Sequence, residues 1–200
     1  MGNAEDIICD CHGSGAVIDR HVWKTGAIGP AITHNTHHHF SQTPFMEIKL
    51  DLTLSHSQLR LHSRACTEED FQWGPGNLAQ GLVVQNGLLM LDPLSEETFD
   101  AGITIRVADS FTPDPQARRT LQAPFAVIDN AGLTVSSPSE EMRIPLEVPA
   151  GDYTVIYEVC LGPAVYFVFT LIRVKTTQAA ALQSDGWGLE AEQKLTSGVF

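Results

Sequence analysis

The sequence predicts a mostly β fold: a single antiparallel β-sandwich-like domain with a flexible N-terminal leader and a C-terminal tail. Three features point there. Ile48, Leu50, Leu52 and Leu54 alternate with Lys49, Asp51 and Thr53, the period-two signature of a half-buried strand. Turn chemistry recurs between such stretches, at Asn86-Gly87, Ser137-Pro138 and Pro149-Ala150-Gly151. No run of helical period is long enough for a strand–helix–strand crossover. With 200 residues and 43% apolar content, the chain can bury one substantial core.

In chain order, residues 1–45 form a leader rich in Gly, His and Thr, with His37-His38-His39 and no sustained period. Met46 stands immediately before the first strand, Glu47 to Leu54, so a chain begun there would hold the whole domain of residues 46–176. The apolar phase then switches to Leu59 and Leu61, which requires a bulge or turn near Ser55 to Gln58. Thr67 followed by Glu68, Glu69 and Asp70 suits a short helical start, with acids at the positive end of its dipole. Pro75 and Gly76 should stop it. Asn86-Gly87, between Leu82-Val83-Val84 and Leu88-Leu89-Met90-Leu91, signals a hairpin with a type I′ turn.

Further strands are expected at Gly102 to Ala108, Thr120 to Ile128, Leu133 to Ser137 and Met142 to Val148, with a turn at Asp129 to Gly132. Asp152 to Leu161 and Val165 to Val174 carry the β-branched and aromatic residues of central strands. Eight or nine short strands argue a sandwich or a closed, barrel-like sheet. The tail, residues 177–200, is expected to hold at most one or two helical turns.

Charge narrows the function. Asp plus Glu number 24 against 12 Lys plus Arg, a net −12, which disfavours direct binding to phosphate backbones and favours a basic protein partner. No stretch reaches the roughly 20 apolar residues of a membrane span, and no secretory signal is legible, since Glu5, Asp6 and Asp10 precede any basic residue. Four cysteines in 200 residues do not make a disulfide framework, so a reducing cytoplasm is expected.

Catalytic motifs are missing from the text: no Gly-x-Ser-x-Gly, no phosphate loop, no His-Glu-x-x-His. Cys9, Cys11 and His12, with His34 and His37 to His39, offer soft ligands but lack paired zinc spacing. His56, His62 and Cys66 read as strand-edge imidazoles and a buried thiol, not as a nucleophile and its base. Neither a metal nor a cofactor is expected, and no enzymatic activity. The acids are more informative. Glu68, Glu69 and Asp70 precede Phe71 and Trp73, while Asp92, Glu96, Glu97 and Asp100 surround Phe99. An aromatic anchor inside an acidic rim is the composition of an interface that captures a basic partner. The predicted partner-binding residues are Glu68, Glu69, Asp70, Trp73, Asp92, Glu96, Glu97 and Phe99. A calcium site competes for the acids but lacks Asp-x-Asp-x-Asp spacing.

The order of these elements resembles the competence J proteins, inhibitors of a nuclease of DNA uptake, from about Leu52 to Val174. The resemblance rests on Leu52-Thr53-Leu54-Ser55-His56-Ser57-Gln58-Leu59, Trp73 followed by Gly81, and the Asn86-Gly87 hairpin. It continues through Ala123-Pro124-Phe125-Ala126-Val127 and Val148-Pro149-Ala150-Gly151-Asp152-Tyr153-Thr154-Val155. It implies a small cytosolic inhibitor that binds a nuclease, with carboxylates standing where the nuclease expects phosphates. A calcium- or carbohydrate-binding sandwich, and an immunity protein for another toxin, are the alternatives.

Overall fold

The computed structural model describes residues 45–95, 97–128 and 132–200. The leader, apart from Phe45, lies outside the described residues, as do Glu96 and most of the expected Asp129–Gly132 turn.

Two sheets face each other. One has seven strands in the order β1 (Met46–Leu54), β5 (Phe99–Ala108), β10 (Val165–Ile172), β9 (Gly151–Leu161), β6 (Ala117–Val127), β11 (Ala179–Ala181) and β12 (Lys194–Leu195). The other has five, ordered β3 (Leu82–Gln85), β4 (Leu88–Leu91), β2 (Leu59–His62), β7 (Leu133–Ser136) and β8 (Glu141–Ile144). The expected antiparallel pairing holds except between β5 and β10, which run parallel, with Ile105 opposite Phe169. A parallel neighbour needs a crossover, and here the chain between them passes through β6 to β9. No local pattern announces such a pairing.

Alternation places the core where it was expected. Leu52, Ile103, Ile105, Phe167, Phe169, Val155, Tyr157, Leu121 and Phe125 point from the large sheet toward Leu59, Leu61, Leu82, Leu89, Leu91, Leu133 and Val135 of the small one. Each such aliphatic or aromatic side chain contributes about 1.5–3 kcal/mol when fully buried. Tyr157, at the centre, stacks on Phe167 at 6.0 Å and tilts against Phe169 at 5.2 Å. Pro124 sits inside β6, but β11 pairs only at Leu121 and Gln122, so the missing N–H costs no second ladder there.

Three local expectations need correction. Pro75 does not end a helix: it opens α1 (Pro75–Gln80), after a separate 3-10 turn at Glu68–Phe71. Proline fits a first helical turn because its absent N–H would have had no partner. The Asn86-Gly87 hairpin forms, but only Gly87 has positive φ, at 69°, so the turn is not type I′, which needs two positive values. Two consecutive positive φ values occur instead at His56 (52°) and Ser57 (51°), in the tight link that carries the chain from β1 to β2. Pro145 follows β8 immediately, so the strand expected to reach Val148 ends at Ile144.

The tail is the largest departure. It forms no helical turn: β11 adds to β6 and β12 adds to β11. Ala179, Ala181, Leu189 and Leu195 are buried. Beyond β12 the chain crosses to the other sheet, where the Gly198 N–H donates to Val84 O at 2.8 Å. Two α1 side chains hold it there. Gln80 donates to Thr196 O and accepts from the Thr196 N–H, while Asn77 donates to Gly198 O and accepts from the Phe200 N–H.

Candidate functional site

Several of the residues singled out above converge at one end of the sandwich. A depression of about 260 Å³ is lined by His56, Ser57, Gln58, Trp73, Leu78 and Asp92. A second, of about 220 Å³, is lined by Pro93, Leu94, Ser95, Glu97, Phe99, Val159, Leu161, Val165 and Trp187. The segment from Asp92 to Phe99 runs from one to the other. It is tied to the β1–β2 link by the Ser57 hydroxyl, which donates to Ser95 O at 2.9 Å.

Backbone strain marks the same place. Among the described residues, four non-glycine residues have positive φ: His56, Ser57, Leu94 and Glu192. Three of them line these two depressions. A leucine at φ 62° is costly and persists only where its surroundings enforce it. Here the Asp92 carboxylate accepts the Leu94 N–H at 2.8 Å. Such strain concentrates at binding and catalytic surfaces.

The predicted acids separate into different roles. Glu68 and Glu69 are exposed, and so is Glu97. Asp70 is committed inside the fold. It accepts both guanidinium nitrogens of Arg64, at 3.0 and 2.8 Å, and the Thr67 N–H at 2.8 Å. Those bonds, Arg64 foremost, hold its carboxyl far below the usual range. Its task is to fasten the 3-10 turn to the hairpin. Glu96 lies outside the described residues. Trp73 is half-buried, packed with Cys66 and Phe71 over Val83, Leu88 and Met90 on the outer face of the small sheet, and its indole N–H is buried without an acceptor. Phe99 packs against the main core while lining the second depression.

His62 and Cys66 do not form a thiol–imidazole pair. Both reach the same carbonyl, Arg64 O, at 2.9 Å from Nδ1 and 3.6 Å from Sγ. Burial raises the Cys66 thiol above its ordinary value, opposite to what a nucleophile needs. Cys160 is fully buried and pushed up to about 12, chiefly by desolvation. Among the described residues, no three His, Cys, Asp or Glu side chains gather as metal ligands. No described helix is long and apolar enough to cross a membrane.

Sequence reasoning missed Leu78, Leu94, Leu161 and Trp187. Leu78 is 66% exposed on α1 and Trp187 47% exposed in the tail. The available signal was Gly186-Trp187-Gly188, an aromatic held between two turn residues.

Comparison with known proteins agrees with the fold. The family model described as competence protein J (ComJ) matches residues 51–172. The crystal structure of ComJ, inhibitor of the DNA degrading activity of NucA, from Bacillus subtilis superposes with a TM-score of 0.56 at 17% identity. That superposition covers 66% of this chain and all of that one. A structure named crocagin biosynthetic gene J covers the same shares at 12% identity, with a TM-score of 0.49. No curated protein matches the chain in sequence.

Proposed function

The chain belongs to the competence protein J family, and from that premise we propose that it is a protein inhibitor of a DNA-degrading nuclease, acting by binding and not by catalysis. The observation that carries the reading is the family match, joined to an end of the sandwich where strained loops and apolar walls meet the exposed Glu97. The structural neighbour from Bacillus subtilis is such an inhibitor.

A nuclease must present positive charge to bind DNA. Glu68, Glu69 and Glu97, in a chain of net charge −12, stand in for phosphates and block that basic site. Asp92 shapes the loop, Asp70 anchors the 3-10 turn, and Trp73 and Phe99 supply the apolar contact, with Glu96 in the same segment. Cys66 and Cys160 are free thiols, which fits a cytoplasmic protein.

The test is plasmid degradation by NucA of Bacillus subtilis, and by the DNA-degrading nucleases of the source organism, with increasing amounts of the full chain. A stoichiometric end point against at least one of them is expected. Undiminished degradation by all of them at a tenfold molar excess of the chain would overturn the proposal.

A further inference from the structure

Residues Asp185 to Leu189 build an outward-facing loop from buried charge. The Asp185 carboxylate is fully buried. One of its oxygens accepts the N–H groups of Trp187 at 2.7 Å and Leu189 at 3.1 Å. The other takes the Arg119 Nε–H at 2.6 Å. Gly186 and Gly188, with φ of 76° and 109°, supply the left-handed turns that bring Trp187 to the surface. The indole lies 5.9 Å from the Arg119 guanidinium, yet the residue stays 47% exposed. A large aromatic on so rigid a mount loses little conformational freedom on binding.

Trp187 forms one wall of the second depression, and Leu94, Phe99, Val159, Leu161 and Val165 give the rest a mainly apolar lining, with Ser95 and Glu97 as its polar residues. Leu161 is itself 39% exposed. Among the described residues of that lining, Glu97 is the charged one. An aromatic face, an aliphatic trough and a carboxylate complement a cation on an apolar stem. Arginine fits better than lysine, because its planar head both stacks and pairs with a carboxylate.

We infer that this groove receives an arginine side chain of the inhibited nuclease, its stem along Leu94, Leu161 and Val165, and its guanidinium between Trp187 and Glu97. The inference rests on the proposed inhibitor function and adds one contact to it. Trp187 lies beyond the matched residues 51–172, whereas the facing walls lie within them. The groove thus joins walls inside the family match to one residue outside it, which makes Trp187 a determinant of which nuclease is accepted.

Two readouts test this. In the first, ¹⁵N- and methyl-labelled full chain is titrated with acetyl-arginine amide, and with acetyl-citrulline amide as its neutral isostere. The Trp187 indole N–H and the Val165 and Leu161 methyl resonances should shift saturably with arginine and not with citrulline. Glu97→Gln should weaken the arginine response several-fold. Shifts confined to Glu68, Glu69 and Trp73, or equal responses to both ligands, would overturn the groove. In the second, Trp187→Ala and Glu97→Gln are compared with the wild type in binding the nuclease it inhibits. A rise in Kd of about 10- to 100-fold for Trp187→Ala is expected of a central aromatic anchor, at an unchanged circular dichroism spectrum. Unchanged Kd for both folded variants would overturn the groove and leave the inhibitor reading intact. If the wild type inhibits no nuclease, the inhibitor reading fails, and the titration still decides whether the groove binds arginine.

Discussion

Replacing Asp185 by Asn measures how firmly the tail is built into the domain. The Arg119 and Asp185 side chains are 4% and 0% exposed, with 2.6 Å between Nε and the carboxylate. Asparagine can keep the oxygen that serves the Trp187 and Leu189 amides, but it turns an NH₂ toward Arg119 and leaves that guanidinium buried without its counter-charge. Arg119 Nη1 already lacks a partner, so the cation has little to fall back on. Removing one partner of a buried ion pair costs about 3–5 kcal/mol. A chain of this size moves by about 2–4 °C per kcal/mol, so the melting temperature should fall by about 6–20 °C. Urea unfolding at pH 7, analysed for both midpoint and slope, is the assay. Adding Arg119→Met to Asp185→Asn should recover part of the loss, because it removes the stranded cation while the asparagine oxygen still accepts the Trp187 and Leu189 amides. The pH dependence has a definite sign. Burial alone would raise Asp185, but the two amides and Arg119 outweigh it and hold the carboxyl below its ordinary value. Its contribution is therefore present above the unfolded pKa of about 3.9 and is lost as pH falls through the lower folded value. The gap between wild type and Asp185→Asn should close in that acid range. A loss under about 1 kcal/mol at pH 7, or a double variant no better than the single one, would refute an ion pair that secures the tail.

Other expectations follow from single residues. Glu158 is fully buried with Oε2 unpartnered, and desolvation raises its pKa despite a hydrogen bond from the Asp114 N–H. It therefore destabilises the fold progressively as pH rises from the unfolded value of about 4.3 toward the raised one. Glu158→Gln should raise the melting temperature more at pH 8 than at pH 4. Cys160, pushed up to about 12, should resist a thiol reagent at pH 8 in a Cys9→Ser/Cys11→Ser/Cys66→Ser background until urea unfolds the chain, and labelling at native rates would contradict its burial. Glu68→Ser with Glu69→Ser should slow association with the nuclease at low salt and leave the melting temperature within about 1 °C, since exposed acids add little stability. Trp73→Ala should cost about 2–3 kcal/mol by denaturation, less than a fully buried tryptophan, so Trp73→Phe is the better variant for a binding assay.

Most of the fold was legible because its strands obey a local rule. Ile48 to Leu54 alternates, Asn86-Gly87 closes a hairpin, and the β-branched and aromatic text of Val155 to Val159 and Phe167 to Leu171 does occupy the middle of a sheet. What was not legible depends on partners far away in the chain. Ala179 to Ala181 has poor strand propensity and becomes β11 only because β6 offers an edge. Asp185 reads as a turn residue until Arg119, 66 positions away, is seen to bind it. The same holds for the candidate site. Exposed acids beside aromatics could be picked out as a class, but nothing in Glu68-Glu69-Asp70 says that the third is held by Arg64 while the others are free. Nor does Ser55 to Gln58 reveal that two non-glycine residues there carry the strain.

The crossing of the tail from β12 to β3 also sets an order of events in time. Its hydrogen bonds to Asn77 and Gln80 join residues 116 to 123 positions apart, whereas β9 and β10 are joined by a three-residue link. Closing a loop that long carries an entropic cost before any contact rewards it, so the β9–β10 ribbon and its neighbours can assemble while the strap is still unattached. The strap is thus expected to close late, after the folding transition state. Weakening it speeds escape from the native state and leaves the rate of reaching that state almost unchanged. These last few hydrogen bonds should therefore bear on the lifetime of the folded protein more than on the speed of its formation.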